Sequence, residues 1–151
     1  MATQWTAQGI TSGAVLPAAT LQSIGAAWVD YTPTLTQGVT VAKTVLQARY
    51  CQFQKTIIGQ MVLNPTAGGT LGSQLLMGLP FAVRAGQPCV GSGYIYDSST
   101  NIMYVCTFVP SGGGLSTIGG FYNAGNYWGA TPNLAIANGD QICLNFSYEI
   151  A

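Results

Sequence analysis

From Gln141 to Ile150 apolar and polar residues alternate without a break: Ile142, Leu144, Phe146, Tyr148 and Ile150 on one side, Gln141, Cys143, Asn145, Ser147 and Glu149 on the other. Successive side chains of a strand point to opposite faces, so this stretch predicts a half-buried strand. Val39 to Phe53 and Thr56 to Leu63 are rich in β-branched and aromatic residues, and the Gln54-Lys55 pair between them predicts a hairpin. Val90 to Tyr96 and Ile102 to Val109 form a second pair. The cluster Asp97-Ser98-Ser99-Thr100-Asn101 joins them, and its short polar side chains suit a turn. Asn138-Gly139-Asp140 predicts a turn into the last strand, and the glycines at 68–69, 112–114 and 119–120 predict loops.

The period differs near the N-terminus. Pro17 suits a first helical position, Leu21 and Ile24 share a face, and Gly25 ends the pattern, so a short helix is expected from Pro17 to Ile24. Such a helix is too short to stand alone in water. Its face, with Val15 and Leu16, needs a partner, and Trp5 is the one aromatic anchor of residues 1–13. Residues 1–25 therefore read as an attachment arm and residues 26–151 as the body. Short strands, frequent turns and no long helix make the body all-β, an antiparallel β-sandwich of jelly-roll-like form.

Composition narrows what such a body does. The chain has 151 residues, and a domain of this length buries roughly 70% of its unfolded surface, so it folds without metals or disulfides. Charged residues are 5% of the chain, four basic and four acidic, and the net charge is zero. Lys43, Lys55, Arg49 and Arg84 are too few to neutralise a run of phosphates, so nucleic acid is not an expected partner. A neutral surface also lacks the repulsion that keeps monomers apart, which points to a subunit of an assembly. The apolar run from Gln74 to Val83 is broken by Gly78 and Pro80, whereas a membrane helix needs about 20 apolar residues, so no membrane insertion is expected. Met-Ala-Thr-Gln-Trp has no basic start followed by an apolar stretch, so synthesis in a cytoplasm without signal-directed export is expected.

Catalytic groups are sparse. There is no histidine to act as base for a serine or to complete a zinc site, and Cys51, Cys89, Cys106 and Cys143 match no metal-binding spacing. The cysteines read as reduced strand residues, with a Cys89 to Cys106 disulfide across the hairpin as the alternative. Lys43 and Lys55 lack the context of a Ser-Lys dyad. A glycosidase needs two carboxylates, and only Asp30, Asp97, Asp140 and Glu149 exist; Asp97 and Asp140 lie in turn sequence, where bonding local N–H groups is their expected task. The glycine clusters lack the Lys-Ser/Thr context of a phosphate loop, and no cofactor is implied.

Aromatic and amide residues crowd together once, between Gly119 and Asn133. Aromatic faces stack on sugar rings while amides donate and accept, so Phe121, Tyr122, Asn123, Asn126, Tyr127 and Trp128 are candidates for a shallow glycan-binding surface. The other reading buries Phe121 and Trp128 between sheets or subunits.

Several stretches in fixed order resemble a domain of tailed-bacteriophage structural proteins. They are the run from Thr11 to Gly38, Arg49 to Lys55, Gly78-Leu79-Pro80 followed by Val90 to Asp97, and Ala137 to Cys143 with Tyr148-Glu149. The resemblance implies a β-sandwich that forms a homotrimer on the virion surface. Longer members carry an upstream shaft; here residues 1–25 precede the sandwich, so within the tail (fibre or tip) the expected subunit sits directly on a tail tip rather than as a free-standing fibre, or else on the capsid as a decoration protein. The expected work is non-enzymatic binding to other virion proteins, through Trp5, Val15, Leu16, Leu21 and Ile24, and to host-surface glycan. A polysaccharide depolymerase using a carboxylate pair between subunits is the enzymatic alternative.

Overall fold

A computed structural model describes residues 27–88, 90–111, 115–122 and 125–150, and their regular structure is entirely β. The arm and the helix expected over Pro17 to Ile24 lie outside the described residues. The strands are β1 (Val29–Asp30), β2 (Leu35–Gln37), β3 (Val39–Thr40), β4 (Lys43–Phe53), β5 (Thr56–Pro65), β6 (Leu76–Gly78), β7 (Gly91–Asp97), β8 (Ile102–Pro110), β9 (Thr117–Tyr122), β10 (Asn126–Tyr127) and β11 (Gln141–Glu149). The expected hairpins are present: Phe53 pairs with Thr56 and Asp97 with Ile102. Gln54 and Asn101 take positive φ in these two turns, a conformation that Asn tolerates better than most residues.

Every pairing between strands is antiparallel, in the order β1-β4-β5-β11-β7-β8-β9-β6-β2-β3 with β10 beside β9. The sheet is continuous and curls into a half-barrel. The chain itself forces part of that curl. Val39 to Phe53, expected as one strand, divides at Val41-Ala42 into β3, which ends the order, and β4, which stands second from the opposite end. Three Cα steps from Thr40 to Lys43 span at most about 11 Å, so the two ends of the sheet approach each other there. Val41 N donates to Leu35 O at 2.9 Å, and Thr66 N donates to Ala42 O at 2.8 Å.

The concave face holds the core. Ile57, Met61 and Leu63 of β5, Ile142, Leu144, Phe146 and Tyr148 of β11, and Tyr104, Cys106 and Phe108 of β8 are buried at alternate positions, as period-two sequence requires. One inner row alternates aromatic residues with glycine. Tyr50 pairs with Gly59, Gly59 with Phe146, Phe146 with Gly91, Gly91 with Phe108, and Phe108 with Gly120. Trp128 N then donates to Gly120 O at 2.9 Å, which brings Trp128 to the end of the row. The Phe146 ring occupies the space that Gly59 leaves, a pairing that stabilises glycine in a strand.

This row corrects one sequence expectation. Gly119 and Gly120 are not in a loop but inside β9, because Gln74 and Tyr127 cover Gly119 while Ile95 and Cys106 cover Gly120. The loops between strands are tied to the core by Gln37, whose side chain is fully buried. Its Nε2 donates to Ser73 O at 2.9 Å and Leu134 O at 2.7 Å, and its Oε1 accepts from Ile136 N at 2.8 Å. No helix among the described residues is long and apolar enough to cross a membrane.

Candidate functional groove

The residues next to the inner row along each strand face outward and form a row of their own. Arg49 of β4 pairs with Gln60 of β5, Gln60 with Asn145 of β11, Asn145 with Ser92 of β7, and Ser92 with Thr107 of β8. The polar row thus runs across five strands that are far apart in sequence. Alongside it Cys51 pairs with Ile58, and Ile58 with Ser147. Between these two rows lies an open groove of about 540 Å³, lined by Trp28, Ile58, Gln60, Ser92, Thr107, Asn145 and Ser147, with Gly59 and Gly91 beneath.

Trp28 stands at one end because the residues after it form β1, where Val29 pairs with Tyr50 and Asp30 with Arg49. Its indole is 49% exposed. The Arg49 guanidinium lies 4.9 Å from the ring centroid, a cation–π distance that holds the indole upright at the edge. No residue lining the groove titrates. The groove therefore offers amide and hydroxyl hydrogen bonds beside an aromatic face, the combination suited to an uncharged hydroxylated ring.

The acids and thiols elsewhere are engaged in the fold. Asp97 Oδ1 accepts from Ser99 N at 2.9 Å, Ser99 Oγ at 2.7 Å and Thr100 N at 3.3 Å. Burial works to raise the Asp97 carboxyl, but the hydrogen bonds from Ser99 and Thr100 outweigh it and leave the group below the usual carboxylate range. Asp140 is buried; its Oδ1 accepts from Ser98 N and Ser98 Oγ, both at 2.9 Å, and its Oδ2 from Ala137 N at 2.8 Å. Both side chains hold turns, the task their sequence context indicated. Cys106 is a free thiol in the core, pushed up to about 12 by burial, rather than half of a disulfide; Cys89 lies outside the described residues. Among the described residues no group of three His, Cys, Asp or Glu is placed to hold a metal ion.

The aromatic cluster proposed from sequence divides between the two faces. Trp128 is 0% exposed and packs edge-on against Tyr104 at 6.0 Å, so it is a core residue and offers no face to a sugar. Tyr122 also turns inward, 5.0 Å from Tyr104. Phe121 and Tyr127 are half-buried and stack edge to face at 4.3 Å on the outer side, with Phe121 opposite Thr107 at the far end of the polar row. Asn126 is exposed; Asn123, like Trp5, Val15, Leu16, Leu21 and Ile24, lies outside the described residues. The residues missed were Trp28, Gln60, Ser92, Thr107, Asn145 and Ser147. Alternation places Asn145 and Ser147 away from the core, but only the strand order shows what stands beside them.

Compared with protein-family profiles, with curated proteins and with solved structures, the chain matches none.

Proposed function

We propose that this chain is a non-enzymatic structural subunit of a tailed-bacteriophage particle, exposed on the tail at the virion surface, where its outer groove binds host-surface glycan. The observation that carries the binding role is the row Gln60, Asn145, Ser92 and Thr107 beside the exposed indole of Trp28. In this reading the curled sheet is the jelly-roll-like sandwich of the family that the sequence resembles, and three copies assemble into a homotrimer. Binding at each groove is weak, and copy number multiplies it.

Exposed apolar residues support a place within an assembly. On the outer face of β8, Val105 is 71% and Met103 56% exposed, and neither has an internal task. The same stripe favours a second reading, a capsid decoration protein whose outer face is covered by neighbouring capsomers.

Particles labelled through this chain separate the two readings: label at the tail is expected, and label over the whole head would favour decoration. Trp28→Ala and Asn145→Ala, which remove exposed side chains, are expected to abolish attachment of the purified chain to host cells while its melting temperature stays within about 2 °C, the span of a surface substitution. Unchanged attachment would reject the groove as the binding site.

A further inference from the structure

The groove has no charged lining residue, yet one cation stands at its Trp28 end. Arg49 begins the polar row, next to Gln60, and its guanidinium is fixed on two sides. One face lies 4.9 Å from the centroid of Trp28. With the Gln60 amide turned so that its oxygen faces the guanidinium, that oxygen accepts from Nε at 2.5 Å and from Nη2 at 2.6 Å. The Gln47 amide lies on the same edge, 3.1 Å from Nε and 3.2 Å from Nη2, so of the five N–H donors of the guanidinium these contacts leave those on the Nη1 side available. That end presents the paired donors that match the two oxygens of a carboxylate.

Among the described residues no carboxylate takes up the charge of Arg49. The ion pair among the described residues is Arg84 with Glu149, at 2.7 Å. Asp30 faces Arg49 from β1 but closes no bridge within 4.0 Å, and it is exposed, where water screens its charge. An oriented guanidinium stacked on an indole, beside neutral amides and hydroxyls, is more than the groove needs for a neutral sugar.

We infer that the ligand is an acidic glycan, a chain of uronic acids or similar carboxylated sugars, with its carboxylate on Arg49 and the ring against Trp28 and the amides of Gln60 and Asn145. The inference rests on the glycan-binding reading above and names the ligand class. Arg49 supplies the preference for the acid; the neutral row supplies the contacts common to all sugars.

The test is calorimetric titration of the full chain with an oligouronate, and with the same oligosaccharide after each carboxyl is reduced to a hydroxymethyl group. At low salt the oligouronate is expected to bind roughly tenfold tighter, the scale of a charge-assisted pair at a partly exposed site, and the difference should shrink as salt is added. Arg49→Gln is expected to remove the difference between the two ligands, even where the loss of its contact with Trp28 weakens both. Equal binding of both ligands by the unaltered chain, a comparison that needs no variant, would overturn the inference and leave the groove as a neutral-sugar site. So would an acid preference that survives Arg49→Gln. Binding of neither ligand at millimolar concentration would overturn the glycan reading itself.

Discussion

The ring of Phe146 on β11 lies over Gly59 on β5, so near that a methyl group at position 59 would overlap it. Gly91 and Gly120 continue the row as the register partners of Phe108, but backbone of β11 covers Gly91, and Ile95 and Cys106 cover Gly120. The row also shapes the opposite face. Gln60 and Asn145, which line the outer groove, are the next residues along the chain from Gly59 and before Phe146, so the packing of the inner row sets the spacing of the outer one.

Substitutions at these glycines are expected to differ in a graded way. At Gly59 the nearest obstacle is a side-chain ring, which can shift, and the Arg49 carbonyl behind it at 2.9 Å needs to yield only slightly, so Gly59→Ala should destabilise by about 1–3 kcal/mol, as overpacking does. At Gly91 the obstacle is the backbone carbonyl of Asn145, which cannot move without breaking the β7–β11 ladder. Gly91→Ala should therefore cost more than Gly59→Ala. Urea denaturation of the two variants against the unaltered chain checks the order, and equal losses would show that the ring is as rigid as the backbone.

The strands were legible because their signal is local. Alternation over Gln141 to Ile150 and the β-branched runs around Gln54-Lys55 carry their own periods, and the short polar residues at Asp97 to Asn101 carry their own turn chemistry. The groove was not legible, because β4, β5, β11, β7 and β8 come together in an order that no local signal encodes. Composition alone points to the wrong surface. The stretch from Gly119 to Asn133 has the residues of a glycan surface, but period two sends Tyr122 and Trp128 to one face and Phe121 and Tyr127 to the other. A glycine pair inside a strand is likewise invisible until the neighbours that fill its space are known.

Gln37 is expected to be the most sensitive polar residue of the core. Its amide serves three backbone groups, Ser73 O, Leu134 O and Ile136 N, that are distant from it in the chain. Gln37→Leu keeps the approximate volume but strands all three groups. At about 1–3 kcal/mol for a buried polar group left unpaired, and with partial access to water, a loss of roughly 3–5 kcal/mol is expected. Hydrogen exchange should then quicken first at Ile136 and Gly69, whose amides hold this corner. Exchange unchanged at those two amides would show that other bonds hold the loops.

Trp128 separates a core role from a binding role. Fully buried, it should cost about 3–5 kcal/mol when truncated to alanine, so Trp128→Ala is expected to unfold the chain near room temperature or lower its melting point steeply. Its Nε1 makes no hydrogen bond among the described residues, so Trp128→Phe gives up volume but no polar partner and should fold with a smaller loss. Both variants, wherever folded, should bind glycan as the unaltered chain does. Loss of binding by a stably folded Trp128→Phe would return this residue to the site.

Acid stability should report the turn at Asp97. Its folded carboxyl titrates below the ordinary value of 3.8 because Ser99 and Thr100 bond the charged form. Above pH 3.8 the carboxylate is present in folded and unfolded chains alike, and the folded one gains those bonds, so their full contribution is present there. As pH falls below 3.8 the unfolded chain takes up its proton first, which favours unfolding, and the contribution is gone once pH has passed below the folded value. The melting temperature should therefore decline as pH drops from about 4 toward 2. Asp97→Asn cannot lose a charge, so its curve should be lower at pH 7 and flatter over this range. An equal acid slope in both proteins would assign the decline to another carboxylate and remove Asp97 as the source of acid sensitivity.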